Sequence, residues 1–239
     1  MDDFNPARRA GERATADASP VPARVGGASQ NRGRTDGVPY VARWSGERPA
    51  AMPVVVGRKR PGIAYADERS FDRDGHGVLW RREPSEPGRG LPQLGKVHGL
   101  RQRIAMGGLR CQICGGPADR NADGVLWLID AHPDDPHLRR GQERTAHPPV
   151  CLPCAHRSVH ACPHLRTASV ALRVRAWTPY GVNGALYQPA HPTPLTVHVG
   201  HYPYGHPHLP WVLAAQLLMT LHDFTITHLE EPPTAGPLR

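Results

Sequence analysis

Apolar positions are sparse over residues 1–36, where Phe4 is the only aromatic, and neither a helical nor a strand period emerges. Patterned sequence begins near Val38. Pro39–Trp44 and Val54–Val56 read as short strands joined by a turn over Ser45–Pro53. Ile63–Tyr65 and Val78–Trp80 read as a hairpin closed by the polar stretch 72–77, where Gly75 and Gly77 can adopt positive φ. A Pro/Gly linker spans Glu83–Pro92. Val97, Leu100 and Ile104 then recur at helical spacing, with Arg101 and Arg103 off that face and Gly107-Gly108 as the stop.

Further on, Val125–Ile129 is a continuous apolar run preceded by the turn sequence Asn121-Ala-Asp-Gly124. Val170–Trp177 reads as a half-buried strand with Arg173 and Arg175 on its wet face, Tyr180–Gly184 as a turn, and Ala185–Tyr187 with Leu195–Val199 as a meander. Pro210 sits where a helix would start. Trp211–His222 is apolar on most sides, with Trp211, Ala214, Ala215, Leu218 and Leu221 on one stripe, and reads as the main buried helix. Phe224–Thr227 would be a last strand. Gly-Val-Leu-Trp occurs at both 77–80 and 124–127, too short an echo to define a repeat.

The chemistry lies in two Cys-x-x-Cys pairs, Cys111/Cys114 and Cys151/Cys154, separated by residues 115–150. Four thiolates so paired can enclose one tetrahedral Zn²⁺. Gly115 and Gly116 suit the reversal of a knuckle. Pro153, together with the absence of β-branched residues at 152–157, favours a helix starting inside the second pair, where the helix dipole stabilises thiolate. Knuckle, hairpin and cysteine-bearing helix make a treble-clef-like module. A redox dithiol is the alternative, but one pair would suffice for that and the flanks lack a thioredoxin-like pattern. Cys162, with His156 and His160, is a candidate second site. Five histidines at 191–208, interleaved with Pro, Gly and Tyr, read as a loop. Phosphate-loop, nucleophile-elbow and dinucleotide motifs are absent from the sequence.

Composition limits the rest. With 27 prolines and 25 glycines among 239 residues, the core is expected to be small and a structural metal correspondingly important. The net charge of +8 is concentrated: residues 1–110 hold 20 Lys and Arg against 12 Asp and Glu, and residues 111–239 balance. A basic face of this kind suits nucleic acid. Arg58, Lys59, Arg60, Arg81, Arg82, Arg101 and Arg103 are the candidate contacts. Arg-rich composition alone would give the same excess, since Lys59 and Lys96 are the only lysines. Five cysteines, four at metal spacing, suit a reducing compartment. No secretory h-region or transmembrane run is evident, so a cytoplasmic setting without membrane contact is expected.

Tyr40–Gly46, Gly62–Asp67, Asp74–Trp80, Gly95–His98, Cys111–Asp119, Pro149–Cys154 and Cys162–Leu165 together resemble a family of hypothetical actinobacterial proteins, some of them phage-like. The resemblance spans roughly residues 38–225 and implies a source and a cytoplasmic setting, with no catalytic residue to carry over. The zinc module also resembles that of HNH nucleases: Asp130-Ala-His132 lies at the end of the hairpin strand and His156 follows Cys154. It departs from them in the intervening Ala131 and in having no Asn between residues 122 and 182.

The expected architecture is α+β. It has a disordered tail (1–37), a basic β-rich segment (38–92), a helix plus zinc module (93–166), a β-meander with one buried helix (167–229) and a loose tail (230–239). The expected role is a zinc-stabilised binding protein, with nucleic acid the leading partner. A protein–protein adaptor using Tyr202 and Tyr204, and an HNH-like metal-dependent nuclease, are the alternatives.

Overall fold

The computed structural model describes residues 37–48, 53–58 and 60–229. The expectations for residues 1–36, for 230–239 and for Lys59 lie outside the described residues, as does part of the expected Ser45–Pro53 turn. The fold mixes α and β and is mostly strand. Its elements are β1 (Ala42–Trp44), β2 (Val54–Val56), β3 (Ile63–Tyr65), β4 (Leu79–Trp80), β5 (Pro92–Val97), α1 (Gly99–Gly107), β6 (Arg120–Asn121), β7 (Gly124–Ile129), α2 (Pro136–Arg139), β8 (Gln142–Thr145), α3 (Leu152–Ala161), α4 (Pro163–Thr167), β9 (Val170–Gln188), β10 (Leu195–Pro203) and β11 (Val212–Thr227).

Seven strands form one sheet around the long antiparallel pair β9–β11, whose register runs from Val212↔Leu186 to Thr227↔Ala171. The other edge of β9 carries β7 at one end and β10 at the other. The outer edge of β11 carries β4, in parallel, at Leu213–Ala214 and β8 at Met219–His222. Between those two, Gln102 of α1 takes the place of a strand. Its carboxamide accepts from the Leu217 N–H (2.9 Å) and donates to the carbonyls of Leu217 (2.9 Å) and Ala146 (2.7 Å). An edge that would otherwise be buried and unpaired is satisfied by one side chain. Two small pairs, β1–β5 and β2–β3, complete the strands.

Strand alternation explains the continuous apolar run of β7. Val125, Trp127 and Ile129 join the main core with Leu172, Val174, Val182 and Leu221. Leu126 and Leu128 point the other way, into a second cluster with Cys111, Val150, Cys154, Ala155 and Ala171. The paired cysteines therefore sit on the back of the sheet, and both faces of β7 are covered.

The same double coverage explains the main correction. The segment Trp211–His222 is not a helix. After a single 3-10 turn at Leu209–Trp211 it becomes β11, continuous with the expected last strand at Phe224. A run buried on both faces is apolar throughout, so its period cannot separate helix from strand. Pairing with β9 then overrides the helix preference of Leu, Ala and Gln. A bulge between Ala214 and Gln216 shifts the inward set from Val212 and Ala214 to Leu217, Met219 and Leu221, which keeps apolar side chains on the core face.

Smaller corrections share one cause, non-local pairing. β3 pairs with β2 and not with the Val78–Trp80 strand. Tyr180–Gly184 is no turn but the middle of β9, and a Cβ on Gly181 would lie 2.1 Å from the Tyr202 carbonyl oxygen, so the glycine marks close strand approach. Helix α1 buries Arg101, Gln102, Ala105 and Met106 and exposes Ile104, the reverse of the expected face. No helix among the described residues is long and apolar enough to cross a membrane.

Candidate metal centre

The first cysteine pair lies in a closed reversal. The Cys111 N–H donates to the Gly116 carbonyl (2.7 Å), the Gly115 N–H donates to the Cys111 carbonyl (2.8 Å), and the Ile113 N–H points at the Cys111 sulfur (3.4 Å). Gly115 has φ +73°, and a Cβ there would stand 2.8 Å from the Tyr40 ring. Only glycine meets both conditions without strain. Chain from both sides clamps the reversal. The N–H groups of Tyr40 and Val41 donate to Ile113 and Gln112, and the Gln112 N–H donates to Pro149.

β6 and β7 form the expected hairpin across Asn121–Gly124. Val150 is strung between that hairpin's two arms, donating to the Leu126 carbonyl (2.9 Å) and accepting from the Asp119 N–H (3.0 Å). This delivers Cys151 to the N-cap of α3, with Pro153 in the first turn and Cys154 one turn in. The four Sγ atoms lie within 4.8 Å of one another, and those of Cys114 and Cys151 are 3.8 Å apart. Cys111 and Cys154 are buried, Cys151 is half-buried and Cys114 is exposed. The group can hold a metal ion.

Electrostatics divide the four thiols. Burial pushes Cys111 up, but N–H donors from Cys114, Cys151 and Ile113 outweigh it and hold the thiol below its usual range. Burial pushes Cys151 and Cys154 up, and the neighbouring Cys111 sulfur raises both further. Arg157 offsets part of this by donating to the Cys154 sulfur at 3.0 Å. A divalent cation at the centre would reverse the balance and stabilise the thiolates.

The other candidate ligands do not converge. Among the described residues, the four cysteines are the only group of three or more His, Cys, Asp or Glu ligand atoms close enough to share an ion. Asp130 and His132 are exposed, with His132 turned toward Asp134 (3.7 Å). His156 is half-buried on α3, its Nε2 without a hydrogen-bond partner. Cys162 marks the α3–α4 junction.

The basic candidates separate in the same way. Arg58 and Arg60 are exposed. Arg81 pairs with Glu83 (2.6 Å), and Arg82 pairs with Asp72 and Asp67 while lying over the Tyr65 ring. Arg101 is buried against Glu47. Arg103 lies 4.4 Å over the Trp80 ring. Tyr202, expected to be an exposed adaptor aromatic, is buried, and Tyr204 is half-buried. Sequence reading missed the carboxylates that hold these arginines: Glu83 stands two residues from Arg81 and was a local signal, whereas Glu47 lies 54 residues from Arg101 and no local pattern links them.

No family model, curated protein or solved structure matches the chain, so the actinobacterial, phage-like resemblance is left without support.

Proposed function

We propose that Cys111, Cys114, Cys151 and Cys154 hold one Zn²⁺ in a treble-clef-like module, that the ion is structural, and that the protein acts by binding, with nucleic acid its leading partner. The convergence of the sulfurs carries the metal reading. A tetrahedron with Zn–S bonds of about 2.3 Å has edges of about 3.8 Å, and the Cys114–Cys151 separation is 3.8 Å. Four protein sulfurs fill that tetrahedron and leave no position for a reacting water, as in structural sites. An HNH-like reaction would need a further ion, and Asp130, His132 and His156 do not gather around one.

The nucleic-acid reading is supported by the net charge of +8 and by exposed Arg58 and Arg60. It rests on fewer cations than composition suggests, since Arg81, Arg82 and Arg101 are engaged within the fold. Metal analysis of the purified protein tests the first part: about one zinc per chain is expected, lost in Cys154→Ser. Titration with single-stranded and duplex DNA across salt tests the second. Affinity that does not fall with salt, or no affinity, overturns it. Capture of a protein partner that survives nuclease treatment would favour the adaptor reading.

A further inference from the structure

Arg103 differs from the arginines around it. It is half-buried on α1, yet its guanidinium has no hydrogen bond and no ion pair among the described residues. Two positions earlier, Arg101 places its donors on Tyr40, Ala42, Glu47 and Ser85. What Arg103 has is a flat seat on the Trp80 indole, 4.4 Å from guanidinium carbon to ring centre. Burial lowers its hold on the proton, and the nearby Asp74 carboxylate and Tyr204 hydroxyl partly restore it.

Asp74 cannot be the missing acceptor. Its Oδ1 accepts from the N–H groups of His76 (2.9 Å) and Val78 (3.0 Å), and its Oδ2 from Trp80 Nε1–H (2.9 Å) and the Tyr204 hydroxyl (3.2 Å). A carboxylate offers about four lone-pair sites, so Asp74 is filled. Its work is to fix three things at once: the Gly75–Gly77 turn, the indole under Arg103, and Tyr204 from the β10–β11 connection. Tyr204 in turn braces His76. The two rings stack with centroids 3.7 Å apart and planes 18° apart. His76 is exposed, and its ring nitrogens have no hydrogen bond among the described residues.

A partly desolvated guanidinium without an acceptor fits an oxyanion, and phosphate suits its planar fork. A preformed exposed aromatic ledge fits a nucleobase, which stacks regardless of its identity. We infer that Arg103, His76 and Tyr204 form a subsite for one nucleotide unit, the guanidinium taking its phosphate and the Tyr204-backed imidazole stacking on its base. The inference rests on the nucleic-acid reading and narrows it to unpaired nucleotides, free or within a single strand, because a duplex keeps its base faces stacked.

The test is fluorescence anisotropy of the intact protein with a labelled single-stranded oligonucleotide, with competition by a nucleoside monophosphate and by inorganic phosphate. His76→Ala, on an exposed turn, is expected to weaken binding about tenfold. Arg103→Gln is expected to weaken it and to reduce the slope of log affinity against log salt by about 1. Arg103→Lys, which retains charge and cover over Trp80, should fall between, and melting curves establish that each variant is folded. If the oligonucleotide binds and both variants match the unaltered protein, the subsite is wrong and the nucleic-acid reading stands. If the monophosphate binds, is lost in both variants, and the oligonucleotide does not bind, the subsite stands and the nucleic-acid reading falls. Phosphate binding insensitive to His76→Ala overturns the stacking role and with it the nucleotide assignment. No binding of any probe overturns both.

Discussion

Arg101 and Glu47 meet fork to fork, with bonds of 2.5 and 2.8 Å, where their side chains retain 2% and 0% of their exposure. The remaining guanidinium donors reach the carbonyls of Tyr40 and Ala42 and the Ser85 hydroxyl, so every Arg101 N–H is used. Removing one member of such a pair strands the other. Arg101→Met is expected to lose about 3–5 kcal/mol in urea unfolding. Adding Glu47→Met should recover part of that loss, because no buried carboxylate is then left alone. A loss under 1 kcal/mol, about the value of a surface pair, would contradict the pairing.

The same corner predicts acid sensitivity. Burial pushes Glu47 up, but Arg101 and the N–H groups of Trp44 and Glu86 outweigh it, and its carboxyl lies below the usual 4.5. The stability it contributes is present above that value and lost as pH falls through the lower folded one. His98 is depressed below 6.5, first by burial and then by the neighbouring Arg101 charge, while the Pro84 carbonyl and Glu83 oppose the shift. Below 6.5 the unfolded chain binds a proton that folded His98 refuses, so stability falls there too. Glu143, raised by burial, acts in the opposite direction. The urea midpoint should therefore drop between about pH 7.5 and 5.5, and His98→Gln should flatten part of that drop, the rest coming from His147, which burial also holds below 6.5. An unchanged midpoint over the range would refute the assignment.

Gln102 offers a sharper probe of the sheet. Gln102→Leu preserves the bulk but leaves the Leu217 N–H and the carbonyls of Leu217 and Ala146 without their partners. Each orphaned group costs about 1–3 kcal/mol. Hydrogen exchange should show the Leu217 amide opening faster while the β9–β11 amides near Leu172 keep their protection.

At the metal centre, Gly115→Ala should lower the melting temperature and weaken zinc retention against a chelator. The left-handed conformation alone costs about 1–2 kcal/mol, and the new methyl group meets the Tyr40 ring. The same substitution at Gly116, where a Cβ would meet only the Cys114 sulfur at 3.5 Å, should be milder.

What could be read in advance followed locality. The cysteine pairs, the Asn121–Gly124 turn and the helix opening after Cys151 are set by residues a few positions apart, and the structure brings them together. The β11 strand was hidden because both its faces are covered along its first half, which erases the alternation that marks a strand. Arg101 looked like the wet side of α1 because its buried partner, Glu47, lies 54 residues away, and Gln102 gave no signal because its partner Leu217 lies 115 residues on. Cationic composition likewise overstated the free surface charge, since Arg81 is neutralised by nearby Glu83, and the carboxylates that neutralise Arg82 and Arg101 lie 10 to 54 residues away.

The position of β11 in the chain has a consequence for how the protein is made. It is the last described strand to leave the ribosome, yet among the described strands β4 and β8 pair with it alone, and β9 takes its longest pairing from it. Until residues 212–227 emerge, Trp127, Leu172 and Val174 lack their final cover. The buried side chains of the cysteine cluster, among them Cys111, Leu126, Val150, Cys154 and Ala171, are all made before β11, and Leu229 packs against their edge only afterwards. Metal capture can thus come first during synthesis, holding β7 and the start of β9 in place as a half-built sheet that waits for its closing strand.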